Sequence, residues 1–380
     1  VVANPDPSNA AQVTLADAAG ATTSVQVAGG DLAVLEPVAA GLADQSVDFS
    51  SLGRRAYKLT SDLPVIAYQF NPLDDVGVFS NDGSLLLPTH AWDSVYRALD
   101  TPTVRRRPAV HDLNASLTVV AAQAVTVRVT PTHPVRAGEG VQAIAAGQSA
   151  DFTLQPFDVL NLEAEAGGGL TGTRVETVGG GAIGVFSGHE GTLLGEPGTT
   201  TCCADHLEEQ LFPVSSWGTD FAFVRSQPRR QEADRVRVVG HAPETRIRFD
   251  GQLGVCPLLR PGEWCDVPLS QDTLIQADNP VLVGQMLVSV GDQADQEPPP
   301  GDPALAFLAP TSQWREDYAL LVPAEYAANY LSVAAPMGGA VQLDGAAVTG
   351  QLAPFGPNGA YLGGRIAVEP GTHRLSCPQR

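Results

Sequence analysis

Apolar and β-branched residues recur at every second position in short runs along most of the chain, at 12–15, 23–27, 57–60, 117–120, 125–129, 152–154, 236–239, 246–249 and 341–343. The three-to-four-residue spacing that marks an amphipathic helix is nearly absent. Clusters of Pro, Gly, Asn and Asp separate the runs about every ten residues, as between the strands of a sandwich or barrel. The pattern predicts an all-β chain in which most strands bury one face.

Three stretches share one spacing, P-x-x-x-W-x-x-x-[YF]: Pro88, Trp92 and Tyr96; Pro213, Trp217 and Phe221; Pro310, Trp314 and Tyr318. They account for three of the four tryptophans, which argues for repetition over coincidence. Upstream, residues 62–69 match 278–285, and 182–186 fill the corresponding strand. Arginines at 105–107 and 229–230 follow the first two copies. The expected units are therefore 1–103, 104–229 and 230–323, with 324–380 a partial fourth unit that closes the fold.

Each unit holds about seven or eight strands, or two four-stranded blades, so the repeats predict a β-propeller of about six or seven blades. Tandem β-sandwiches are the alternative, since a strand count does not separate a ring from a string. The ring is preferred because the trailing partial unit would pair with the leading strand and hide both edges. The repeated aromatics read as framework that pins a loop to the core; a ring of aromatics stacking sugars is the functional alternative.

Composition narrows the class. Acidic residues number 42 against 22 basic, a net charge of -20, which disfavours nucleic acid and anionic lipid as partners. Charged residues are only 17% and hydrophobic ones 43%, too apolar for disorder. No apolar run is long enough to span a membrane, and the N-terminus lacks a basic-then-apolar leader. A soluble chain is expected, with any export signal removed or lying upstream.

The five cysteines are too few for a disulfide-built scaffold. Cys256 and Cys265 flank a turn-rich insert, a spacing that suits a hairpin staple, and a bond between them implies an oxidising compartment and export. Cys202 and Cys203 are adjacent, which permits a vicinal bridge or separate bonds with one reaching Cys377. Beside Cys202 and Cys203, His189 and Glu190 and then Asp205, His206, Glu208 and Glu209 gather two imidazoles and four acids. His189, Asp205, His206 and Glu209 are candidate zinc or calcium ligands, or an acid/base pair. The competing reading is a polar loop bracing a turn. Neither H-E-x-x-H nor an EF-hand pattern is present, so no catalytic or cofactor residue is assigned, and calcium is the one ion kept as a candidate cofactor. Asp74, Asp75 and Asp82 form an acidic loop beside Ser80-Asn81-Asp82-Gly83, one residue short of an Asp-box turn. Asn114-Ala115-Ser116 fits the N-glycosylation triplet.

Leu170-Thr171-Gly172-Thr173-Arg174-Val175, Val185-Phe186-Ser187-Gly188-His189, Asp205-His206-Leu207-Glu208-Glu209-Gln210-Leu211-Phe212-Pro213 and Trp217-Gly218 together resemble the signature of one family. It is the N-terminal domain of the IgGFc-binding protein, known from a secreted mucus protein of animals and from many bacterial surface proteins. Ala67-Tyr68-Gln69-Phe70-Asn71-Pro72 and the segment from Ser80 to Pro88 resemble the bacterial branch. The resemblance covers most of the chain and is weakest after about residue 323. Similar members carry a cysteine two residues after the histidine of Ser187-Gly188-His189, paired with one before the Asp205-His206-Leu207 segment; Gly191 stands there instead. The resemblance thus implies that Cys202 and Cys203 bridge each other.

It also implies a secreted or cell-surface, non-enzymatic module for adhesion or matrix assembly, without implying antibody binding and without carrying any binding residue over. The expected partner is a protein or glycan at the cell surface, or copies of the chain itself. The alternatives are a propeller-type hydrolase acting on glycans, with acids from 189–210, and a calcium-dependent adhesin.

Overall fold

The computed structural model describes residues 1–71, 82–104, 112–194, 204–229, 232–289, 302–324 and 326–378. The chain is all-β, and every pairing between named strands is antiparallel. Alternation does what the pattern predicted: β10 (Ala115–Ala121) and β11 (Val125–Thr130) bury every second residue.

The first group contains β1 (Val2–Ala3), β2 (Ala11–Ala16), β3 (Thr22–Val27), β4 (Leu32–Ala33), β5 (Ser51–Arg54), β6 (Lys58–Ser61), β7 (Ile66–Phe70) and β8 (Gly83–Leu85). Sheets ordered β4-β1-β7-β8 and β3-β2-β6 enclose a small core of Val2, Val13 and Val27. β5 leaves this group for the second one.

There β9 (Val95–Arg97), β10, β11, β12 (Ala150–Leu154), β13 (Asp158–Glu163), β14 (Arg174–Val178), β15 (Ile183–Thr192) and β16 (Asp205–Gln210) form two sheets, β16-β15-β10-β13-β5 and β12-β11-β14-β9. Leu117, Val119, Leu160, Leu162 and Val185 of one sheet face Val127, Val129, Leu154, Val175 and Tyr96 of the other. This is a sandwich core.

β17 (Gly218–Phe223), β18 (Asp234–Gly240), β19 (Ile247–Phe249), β20 (Trp264–Leu269), β21 (Thr273–Leu287) and β22 (Ala304–Phe307) make one six-stranded sheet around the fifteen-residue β21. Asp278 and Pro280 are exposed midway along β21, and its two ends pair with different strands. The last group contains β23 (Asp317–Val322), β24 (Asn329–Pro336), β25 (Gln342–Leu343), β26 (Ala346–Ala347), β27 (Ala353–Phe355), β28 (Tyr361–Val368) and β29 (Gly371–Ser376), in sheets β23-β29-β25-β26 and β24-β28-β27.

The described residues show no closed barrel and no propeller ring, and the sandwich alternative fits. A blade is a meander whose sheet order follows the chain. Here β5 crosses to pair with β13, and β9 with β14, so the strands sort by partners distant in sequence.

The three repeated stretches share one backbone. Each is a proline at φ near -64° (-65°, -63° and -64°), a 3-10 turn (Thr89–Ala91, Val214–Ser216 and Thr311–Gln313), and an extended tryptophan. The fixed proline φ presets the entry. Each tryptophan N–H closes the turn on the first turn residue, at 3.3, 3.1 and 3.2 Å. The indoles of Trp92 and Trp217 donate to Leu87 O and Phe212 O, both at 3.1 Å. Local framework is shared while the neighbours differ: Trp217 meets His241, and Trp314 meets Tyr361. Each turn delivers a strand, β9, β17 or β23, to the sheet that follows it in the chain.

Candidate functional site

The polar segment lies on β15 and β16, and the structure separates its members. His189 is fully buried on β15, with Nδ1 accepting the Gly191 N–H at 3.0 Å and Nε2 3.0 Å from Pro102 O. That pairing assigns the proton to Nε2, and burial holds the imidazole down at about 4. His189 is thus a neutral brace with both nitrogens occupied. Glu190 turns to Asn114, accepting its N–H at 2.6 Å and its Nδ2 at 3.0 Å. Glu163 accepts the same Nδ2 at 3.1 Å, and Arg136 donates to Asn114 Oδ1. Burial first, and then the neighbouring Glu190 carboxylate, push Glu163 up to about 7. Asn114 is only 1% exposed, so the glycosylation triplet is closed to modification in the folded chain.

β16 is an edge strand, and the side chains of Asp82, just before β8, and Ser84, on it, cap its free edge. Asp82 Oδ2 accepts the Glu208 N–H at 2.8 Å, and Ser84 Oγ accepts the Gln210 N–H at 2.9 Å. Gln210 returns the contact by accepting the Leu87 N–H, and Gln69 donates to Glu208 Oε2 at 3.1 Å. Side chains take the place of a strand partner and join the first group to the second. Asp205 is buried on the same strand and accepts the His206 N–H. Burial pushes Asp82 up to about 7 and Glu209 well above the usual carboxylate range, the neighbouring carboxylates adding to Glu209. His206 is raised by the Glu208, Asp82 and Asp205 carboxylates, against the opposing pull of burial.

A carboxyl titrating near 7 suits a general acid. Both Asp82 oxygens, however, accept backbone N–H groups, from Glu208 and from Gly83. Two cavities, of about 480 Å³ beside Asp44, Arg54 and Glu139 and about 260 Å³ beside Arg225, Asp272 and Arg365, lie elsewhere. Among the described residues no group of three His, Cys, Asp or Glu is placed to hold a metal. The four candidate ligands are therefore not assembled into one set. Asp74, Asp75, Ser80, Asn81, Cys202 and Cys203 lie outside the described residues.

A different region gathers exposed apolar groups. Cys256 and Cys265 are bonded, with Cα atoms 5.8 Å apart, and staple the connection from β19 to β20. Asp250 and Gly251 turn the chain at φ of 47° and 80°. Beyond the turn Leu253, Val255 and Leu258 are 56%, 51% and 41% exposed, while Leu259, next after Leu258, is fully buried. Trp264 at the base is half-exposed and lies under the Arg237 guanidinium, 4.0 Å from the ring centroid. Arg237 grips Asp266 through two bonds of 2.6 Å and also donates to Asp100 O and to Thr171 Oγ1. The loop base is thus fixed to its own sheet and to the connections that carry Asp100 and Thr171, while its tip stands in solvent. The cysteine spacing announced the staple; nothing in the alternation announced the apolar tip, because exposed and buried leucines look alike in a turn-rich insert. Cys377, by contrast, is a half-buried free thiol that burial pushes up.

No helix among the described residues is long and apolar enough to cross a membrane, which says nothing of strands. The model of the family described as IgGFc binding protein matches residues 82–380. No curated protein and no solved structure matches the chain.

Proposed function

The chain belongs to the IgGFc-binding protein family, and from that premise we propose a non-enzymatic extracellular module that binds a protein partner through the stapled loop of residues 251–263. The observation that carries the reading is the exposure of Leu253, Val255 and Leu258 on one connection, which the Cys256–Cys265 bond staples to β20 and whose base is anchored by Arg237. Exposed apolar groups gathered in one place mark binding surfaces, and a staple reduces the ordering cost of binding. The disulfide also supports an oxidising compartment, hence secretion or display at the cell surface. In this reading the four strand groups are successive units of a rigid scaffold, and adhesion is what the loop serves.

The test is surface plasmon resonance of the full chain over immobilised Fc fragment, a mucin-type glycoprotein and the chain itself. Retention on one of these surfaces that is lost in Leu253→Asp/Leu258→Asp, with unchanged folding by circular dichroism, supports the loop. Retention equal in both proteins, or on none of the surfaces, contradicts it.

A further inference from the structure

Each Pro-x-x-x-Trp turn after the first is seated on the one before it. Ser215, the second residue after Pro213, donates its hydroxyl to Asp93, the residue after Trp92. Ser312, the second residue after Pro310, stands over Gly218, the residue after Trp217. A Cβ on Gly218 would lie 2.3 Å from Pro310 Cβ and 3.6 Å from Ser312 Oγ. Gln313 Nε2 also donates to Ser216 O. In these seats Pro213 and Pro310 are buried.

Both ends of this row are unfilled. Pro88, Thr89, His90 and Ala91 of the first turn are all exposed. So are Arg315, Glu316, Asp317 and Tyr318, which follow Trp314 as the seat residues follow Trp92 and Trp217. The chain's own first turn does not close the gap. Where Ser187 Oγ on β15 accepts the Leu99 N–H at 3.2 Å, the corresponding approach of β7 to β23 is made by the longer Tyr68, whose hydroxyl meets the Leu321 backbone. Leu99 and Leu321 stand at the same offset from Trp92 and Trp314.

We infer that the open seat beyond Trp314 takes the first turn of a second copy of the chain, with His90 facing the Arg315 side chain as Ser215 faces Asp93. The occupant follows from the two filled seats: a proline-led 3-10 turn is what fits, and the first turn is the one left unseated. Such a contact joins unlike surfaces head to tail, so it propagates into rows or closes into rings. The inference names the contact for the self-binding version of the function proposed above and rests on that reading for its purpose.

Sedimentation velocity of the full chain over a concentration series tests it with surface charge variants that leave the core untouched. Concentration-dependent association is expected, tightened about fivefold by His90→Glu and weakened by a similar factor by His90→Arg, the size of one exposed ion pair. The double variant His90→Arg/Arg315→Glu is expected to recover the loss. A chain that stays monomeric at every concentration, or association indifferent to these substitutions, overturns the seat. So does an intrachain disulfide in monomeric His90→Cys/Arg315→Cys, which would show the chain filling its own seat. Each of these failures leaves binding of a foreign partner by the stapled loop intact, because that surface carries none of the changed residues.

Discussion

Replacing Tyr96 by Phe removes one oxygen from the first repeated stretch and asks how much the framework depends on it. Tyr96 is 1% exposed, and its hydroxyl accepts the Asp93 N–H at 3.0 Å and donates to Ile183 O at 2.8 Å. The second stretch has Phe221 in this place, so a ring without the hydroxyl is sterically acceptable. What the substitution leaves is a donor and a carbonyl that lose their partner in a largely dry site. Two net hydrogen bonds of about 1 kcal/mol each, with 1–3 kcal/mol for a buried group left unsatisfied, put the loss at about 2 kcal/mol. Tyr318→Phe is the internal control. Its hydroxyl accepts the Arg315 N–H at 2.8 Å in the same geometry but stands 40% exposed, so water replaces it and the loss stays under about 0.5 kcal/mol. Urea unfolding followed by tryptophan fluorescence gives both losses, and hydrogen exchange at the Asp93 amide shows whether the opening is local. Equal losses for the two variants, or a Tyr96→Phe loss below about 0.5 kcal/mol, would refute the assignment of the hydroxyl to the framework.

Two other outcomes follow from the packing and the charges. Gly218→Ala places a Cβ 2.3 Å from Pro310 Cβ, where both sides are backbone-bound, so the third turn must shift; a loss of about 1–3 kcal/mol is expected, read as a lower urea midpoint. Stability is expected to rise as pH falls from 8 to 5. Asp82 and Glu163 titrate near 7 in the folded chain and near 4 when unfolded, so the native state holds more protons in that window, and His206 acts in the same direction. His189, held down at about 4, opposes this below its ordinary value but is one group against several. Asp82→Asn should reduce the pH slope of the urea midpoint; an unchanged slope would show that Asp82 does not titrate there.

The sequence showed what local chemistry dictates. Period-two alternation marks β10 and β11, the cysteine spacing marks the hairpin staple, and the proline-to-tryptophan spacing marks turns that share one backbone. It did not show which strands pair. β5 finds β13 more than a hundred residues along the chain, and no property of Ser51-Leu52-Gly53-Arg54 names that partner. For the same reason the strand count suggested a ring where the sheet orders fit sandwiches. The acids at 205–209 resembled a ligand set because the residue types alone do not tell which of these side chains converge in space. Only with Asp82 and Ser84 in place does the segment become visible as an edge strand capped through its backbone N–H groups.

The central claim is that the three proline-to-tryptophan turns are interchangeable framework, leaving loops free for binding. Exchanging the first turn for the second, Thr89→Val/His90→Ser/Ala91→Ser, tests it directly by equilibrium unfolding of the full chain. The account predicts a stability within about 0.5 kcal/mol of the parent, as for any surface change that preserves the backbone. A loss above about 2 kcal/mol, or unfolding that ceases to be cooperative, would contradict it.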